Sequence, residues 1–420
     1  MLLVVAGLSW VTGCVAEAPP GIGTATAGDG QAVVSWTAPP GGFGLRVTKY
    51  KVTPFIGSEA QTPIVFNSTA TTQTITGLTN GNTYTFRVLG IDALGNEGAS
   101  SGSSNPITYT RPPAIAVTGG LEHSCAVLAD GTARCWGWND RGRLGNGVLV
   151  LGDSANSSVP VTVTGMSEAT AITAGLGHSC VVAGGGAVQC WGSNSNGQLG
   201  DNYGGTTATP VSVVGITDAT AVTAGNFFHS CAVLAGGTAK CWGHNVFGQL
   251  GNGQSGTSGE SPIPVSVTGI TDATAIAGGW IHTCAVVAGG SVKCWGYNAY
   301  GQLGNGSTAD SSTPVSVTGV TDASSVTAYG THSCALGDSG AASCWGSNAS
   351  GELGNGTTVD SSTPVSVTGI IDAIGITAGG YHSCALFAGG TVSCWGRNTK
   401  GQLGNNTTQH SSTPVPVSGW

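Results

Sequence analysis

The chain has 420 residues, 72 of them glycine and 17 proline, with 40% apolar residues and only 8% charged ones. That length suits two or more domains, and a turn-rich composition without helical Glu/Lys/Leu periodicity predicts an all-β protein. Twelve Lys plus Arg scattered through a chain of net charge -8 form no basic stripe, which excludes nucleic acid as an expected partner.

In chain order, the first element is the apolar run MLLVVAGLSWVTG, followed by Cys14. It is too short to span a bilayer but suits the apolar part of a secretion signal. Small residues before a cysteine resemble the bacterial lipobox. That resemblance implies a signal over residues 1–14, a lipid on Cys14 and no other membrane attachment. No Lys or Arg precedes the run, and an ordinary signal peptide or a buried strand is the alternative. Of 13 cysteines, twelve fall into pairs and Cys14 is the odd one, which a lipid would account for. The expected location is a bacterial cell envelope or the extracellular space.

Residues 15–112 contain AVVSW (32–36), TKYKVTP (48–54), TQTITGL (72–78) and TYTFRVLGID (83–92). Each alternates apolar and polar residues as half-buried strands do, and APPGG and LTNGN between them are turn chemistry. Short strands at this density predict a two-sheet sandwich. The placement of Trp36, Tyr50, Leu78 and Tyr84 resembles a fibronectin type III domain. The resemblance implies that Trp36 and Tyr50 fill the core and that Tyr84 makes a corner hydrogen bond. A spacer role is expected for it, since fold alone does not give function. Asn105-Pro106 and Arg111-Pro112-Pro113 read as a stiff linker.

Residues 113–420 repeat themselves six times. The first cysteines of the copies are Cys125, Cys180, Cys231, Cys284, Cys334 and Cys384, spaced 55, 51, 53, 50 and 50 apart. In the fourth copy TAIAG (274–278), HTCAVVA (282–288), SVKCWG (291–296) and PVSVTG (314–319) read as four strands from inside to outside. Four short strands per repeat make a propeller blade. The outermost strands are expected to open on Pro160, Pro210, Pro264, Pro314, Pro364 and Pro414, as an edge strand tolerates proline at its first residue. Folding the second strand back on the third sets two cysteines ten positions apart opposite each other, within the ~4.4–6.8 Å Cα range of a disulfide. The expected bridges are Cys125–Cys135, Cys180–Cys190, Cys231–Cys241, Cys284–Cys294, Cys334–Cys344 and Cys384–Cys394. Each ring would contribute about 2.5–3 kcal/mol by the chain-entropy model, in an oxidising compartment. Zinc held by the repeated His-x-Cys and the second cysteine is the alternative, although no fourth ligand is evident.

The pattern G-x-x-H-S-C-A-V, then C-W-G-x-N, then G-Q-L-G-N-G resembles the repeat of the regulator of chromosome condensation family. The resemblance covers all six copies and implies a β-propeller. Familiar members have seven blades, so the expectation is six blades or a clipped seven. It also implies nucleotide exchange on a small GTPase, which export and acidic charge disfavour.

Residues repeated in every copy are expected to serve folding. The histidines would bond a turn backbone, the Asp of the TDA turns would cap, and the six tryptophans of CWG would pack between blades. Function is expected where copies differ, in the turn before each histidine and the loop after CWG, which should share one face. The candidates are Phe227, Phe228, Trp280 and Tyr381 in the turns. In the loops they are Trp138, Arg141, Phe247, Tyr297, Tyr300, Arg397 and Lys400. Aromatic residues concentrated there suit a protein-binding hot spot. No catalytic motif is recognisable, and no cofactor or metal is expected. The reading is a monomeric, exported, surface-anchored binding or adhesion protein whose partner is a protein or surface ligand. The alternative is an inhibitor of a secreted enzyme, since a bacterial β-lactamase inhibitor protein has a similar propeller.

Overall fold

The computed structural model describes residues 18–40 and 46–419, so Cys14 and the apolar leader lie outside the described residues. The chain divides into two compact units, Met1–Pro112 and Pro113–Trp420. Among the described residues no helix is long and apolar enough to cross a membrane.

The first unit is a pair of antiparallel sheets. One pairs Gly21–Gly28, Gln31–Thr37 and Thr72–Thr76; the other is centred on Val47–Ile56 and Thr83–Asp92. Period-two alternation turns Ala32, Val34 and Trp36 inward from one strand and Tyr84, Phe86 and Val88 from another, so the two faces share one core. Within it the Trp36 and Tyr50 rings meet edge to face at 5.1 Å. The Tyr84 hydroxyl accepts the Thr79 N–H at 3.1 Å.

The second unit consists of six four-stranded antiparallel sheets, each in strict chain order from inner to outer strand. Blade four, for example, runs Ala273–Gly278, His282–Val287, Ser291–Gly296 and Ser311–Ser316. The outer strand begins three residues before the expected position, so Pro314 is its fourth residue rather than its first. The pairing of the outer strand with the third is irregular between Cys294 and Gly296. A proline is tolerated on such an irregular edge because its missing N–H faces no ladder partner.

In every blade the two cysteines are direct cross-strand partners and are joined, with Cα atoms 4.0–4.1 Å apart. This is shorter than the expected range. The neighbouring pair Trp138–Glu122 carries the ladder hydrogen bond, which leaves each cysteine pair at a non-hydrogen-bonded site, where facing Cα atoms approach to about 4.5 Å. With the sulfurs joined to each other, the zinc alternative is replaced.

No blade has a core of its own. Five apolar clusters lie between consecutive blades; that between blades three and four joins Cys231, Val233, Cys241 and Leu250 to Ala285 and Trp295. A four-part clamp closes each junction. The histidine Nε2 of one blade meets the Ser or Thr hydroxyl after the histidine of the next blade, as in His282 to Ser333 at 2.8 Å. That hydroxyl donates to the carbonyl of the first blade's G-x-L-G loop, here Gln302 at 3.2 Å. The next blade's indole donates to the same kind of carbonyl, as Trp345 Nε1 does to Gln302 at 2.9 Å. Because the hydroxyl proton goes to the carbonyl, Nε2 must carry the imidazole proton. Five of the six histidines therefore bond a side chain of the next blade, where a turn backbone had been expected as the partner. The last glycine of the loop makes the approach possible: a Cβ at Gly304 would stand 2.8 Å from Trp345 Nε1.

Candidate protein-recognition rim

The ladder itself sets the two variable loops side by side. The first residue after CWG donates its N–H to the residue just before the histidine, as in His244 to Phe228 at 2.9 Å and Arg397 to Tyr381 at 2.7 Å. Both loops of each blade therefore emerge on one rim. Invariant asparagines hold the longer loop: Asn298 Oδ1 accepts from Leu303 N–H at 2.9 Å, and its Nδ2 donates to Ser307 and Ala309 carbonyls. The same Asn–Leu bond recurs in all six blades. With folding carried by these buried positions, the others are free to differ.

The aromatic candidates concentrate on blades three and four. Phe228 lies against Gly177 of blade two, Phe227 touches Phe228 at 5.3 Å and the His244 ring at 5.2 Å. Phe247 meets Tyr297 of blade four at 4.9 Å, and Tyr297 meets Tyr300 at 6.3 Å. Phe227, Trp280, Tyr300 and Tyr381 keep 36–42% of their surface exposed, whereas Phe228, Phe247 and Tyr297 are half-buried supports. Blade three's turn is one residue longer than its counterparts. Its closing bond runs from Gly225 N–H to His229 O, against Gly279 to His282 in blade four. The extra residue puts Phe228 at φ 60°, a left-handed conformation that bulky residues seldom adopt.

The basic candidates are partly occupied. Arg141 is 3.5 Å from Asp140, and Arg397 lies over the Tyr381 ring at 5.1 Å. Trp138 is half-buried with the Arg143 guanidinium 4.0 Å over its ring, so it is a packing residue. Lys400 is exposed. Arg143 itself went unrecognised because it stands at the Gln position of the G-Q-L-G motif. Exposed Tyr203 was also missed; the only signal was the altered loop DNYGG after the G-Q-L-G of the second repeat.

His244 is held neutral. Burial lowers its pKa, with the nearby Glu260 carboxylate opposing. Gln249 Nε2 donates to its Nδ1 at 2.6 Å, which turns the Nε2 proton toward Glu260 at 3.7 Å. Burial raises the Tyr297 phenol, so the aromatic cluster presents neutral rings at physiological pH.

Along the axis the inner strands line a cavity of about 250 Å³ with Thr118, Thr173, Thr223, Thr327, Thr377 and Tyr329. Several of these hydroxyls accept an amide from the next blade, as Thr223 does from Gly278 at 2.9 Å, so they also join blades.

Sequential four-stranded blades packed face to face define a β-propeller. Residues 41–419 match the RCC1-like domain family, and the chain belongs to it. The Ultraviolet-B receptor UVR8 of Arabidopsis thaliana is 32% identical over 191 residues, 45% of this chain and 42% of the relative. The secretion-regulating guanine nucleotide exchange factor of Bos taurus is 28% identical over 220 residues, 47% of each chain. The chain thus spans less than half the length of these relatives. Human WBSCR16 superposes with TM-score 0.64 at 22% identity, covering 76% of this chain and 87% of that one. Yeast RCC1 (Prp20), solved bound to Kap60, superposes with TM-score 0.63 at 20% identity, covering 72% and 74%. These two show the fold alone.

Proposed function

We propose that the protein is an exported recognition module whose propeller rim docks a protein partner, with the first unit, a fibronectin type III domain, as its spacer. The observation that carries this reading is the aromatic cluster on blades three and four, with Phe227, Trp280 and Tyr300 exposed beside half-buried ring supports. Rigid, partly exposed rings on a fixed scaffold are what binding hot spots use. Six disulfides support an oxidising compartment, and a lipid on Cys14 is the proposed anchor. Affinity capture with the native protein, against a Phe228→Ala, Trp280→Ala, Tyr300→Ala variant of equal melting temperature, tests the rim. Loss of the captured protein is expected; undiminished capture removes this face.

A second reading, nucleotide exchange on a small GTPase, is favoured by the likeness to the bovine exchange factor. Accelerated release of labelled GDP from a captured GTPase would select it. Lost activity of a captured secreted enzyme would select an inhibitor instead.

A further inference from the structure

The axial cavity of about 250 Å³ carries polar groups that the bonding between blades leaves over. The hydroxyls of Thr118, Thr173, Thr223 and Thr327 each accept an amide N–H from the next blade, at 2.9–3.3 Å. Among the described residues none of them has an acceptor for its own proton. Two further side chains break the repeat. Three residues before the histidine, four blades have glycine (Gly120, Gly175, Gly279 and Gly379), whereas blade three has Asn226 and blade five has Tyr329. Both line the cavity, at its rim end. Asn226 is only 2% exposed, and its Oδ1 accepts no hydrogen bond among the described residues. A buried acceptor left alone in this way calls for a donor that the fold itself does not supply. Burial pushes the Tyr329 phenol up to about 12, so it stays protonated at physiological pH.

From this set of groups we infer that the axial cavity is a binding site for one small, neutral, polyhydroxylated molecule of monosaccharide size, with Asn226 as its buried acceptor. Charge decides the class first. No Lys, Arg, Asp or Glu lines the cavity, so an ion would lose water without gaining a counter-charge. An anion would also face the Asn226 oxygen, and a cation would find the threonine oxygens already engaged by amides. An apolar ligand would leave the hydroxyl protons and Asn226 unpaired. A ligand hydroxyl does both jobs, giving its proton to Asn226 Oδ1 and accepting from a threonine. Blade four supplies a different wall: Ala277 replaces the threonine there and lies beside Ile276, which suits the C–H face of a sugar ring. The volume lies just below the ~300–1,000 Å³ range of drug-sized pockets, and this limits the ligand to about one ring. Because this site uses none of the rim aromatics, it stands or falls separately from the rim as a docking face.

The test is saturation-transfer NMR on the full chain with D-glucose, D-galactose and myo-inositol as neutral probes and D-glucuronate as the charged one. At least one neutral probe should bind saturably, and D-glucuronate about tenfold more weakly or not at all. Two variants locate the site. Asn226→Leu removes the buried acceptor and should weaken binding about tenfold, the loss of one buried hydrogen bond. Thr377→Trp fills the cavity from an exposed position whose hydroxyl makes no hydrogen bond among the described residues, so it removes no joint between blades and should abolish binding. Melting temperatures within a degree or two of the parent verify both folds, and Thr377→Trp alone decides if Asn226→Leu does not fold. The triple rim variant Phe228→Ala, Trp280→Ala, Tyr300→Ala should bind the probe as the parent does. Binding of none of the three neutral probes overturns the proposal, leaving water as the only occupant of the axis. So does undiminished binding to Thr377→Trp, or equal binding of D-glucuronate. Loss of binding in the rim variant overturns it as well, because the sugar then sits on the rim aromatics.

Discussion

The sandwich and the propeller are both all-β, yet they keep their cores in different places. In the sandwich, Trp36, Tyr50, Phe86 and Val88 converge between two sheets of one compact unit. In the propeller, each cluster takes one wall from one repeat and the other wall from the next. A single blade therefore cannot bury its own faces, and stability is distributed over nearest-neighbour junctions. The disulfides act at another level: each lies within one blade and locks its central hairpin, while contributing its apolar surface to the junction beyond.

Reduction should separate the two units most. Losing one bridge costs about 3 kcal/mol by the chain-entropy model, and losing all six should lower the propeller's calorimetric transition far more than the sandwich's. A common shift of both transitions would break the comparison.

Acidification comes next, because all eight histidines lie in the propeller. Burial first, with nearby positive charge second, drives His123, His178, His229, His282 and His332 to a pKa of about 3. These groups are neutral in the fold, whereas the unfolded chain takes up their protons below its ordinary value near 6.5. Their contribution is complete above that pH and declines as pH falls from 6.5 toward 3. Urea midpoints at pH 7, 5 and 4 should fall for the propeller while losing much less in the histidine-free sandwich.

Single junctions give smaller effects. Trp345→Ala should cost about 3–5 kcal/mol as a buried large-to-small change, and the same change at half-buried Trp136 clearly less. Equal costs from denaturant titration would mean that Trp136 is as deeply buried as Trp345. Ser333→Ala should cost about 1–3 kcal/mol, because it leaves the buried His282 N–H without an acceptor.

The cysteine pairs were legible because both partners lie ten residues apart in one hairpin, where a tight turn leaves few registers. The shared rim was legible because strand order alone places alternate connections together. The clamp was not, because Ser333 answers to His282 of the preceding copy, 51 residues away, and a pattern repeated in every copy does not say which copy supplies the partner. The outer-strand proline was misplaced because Ser-Ser-Thr before it (311–313) looks like loop chemistry, and only pairing with Gly296 draws it into the strand. At the rim the aromatic residues were evident, but the cover that Arg143 gives Trp138 arises from a loop whose path no periodicity describes.

The clamp also has a direction. The earlier repeat always supplies the imidazole and the backbone acceptor, and the later repeat always brings the hydroxyl and the indole. Synthesis from the N-terminus therefore leaves a finished template at every stage, onto which the next emerging hairpin can fasten. Growth of the ring on the ribosome can thus proceed as a one-way ratchet, without waiting for the last repeat to be translated.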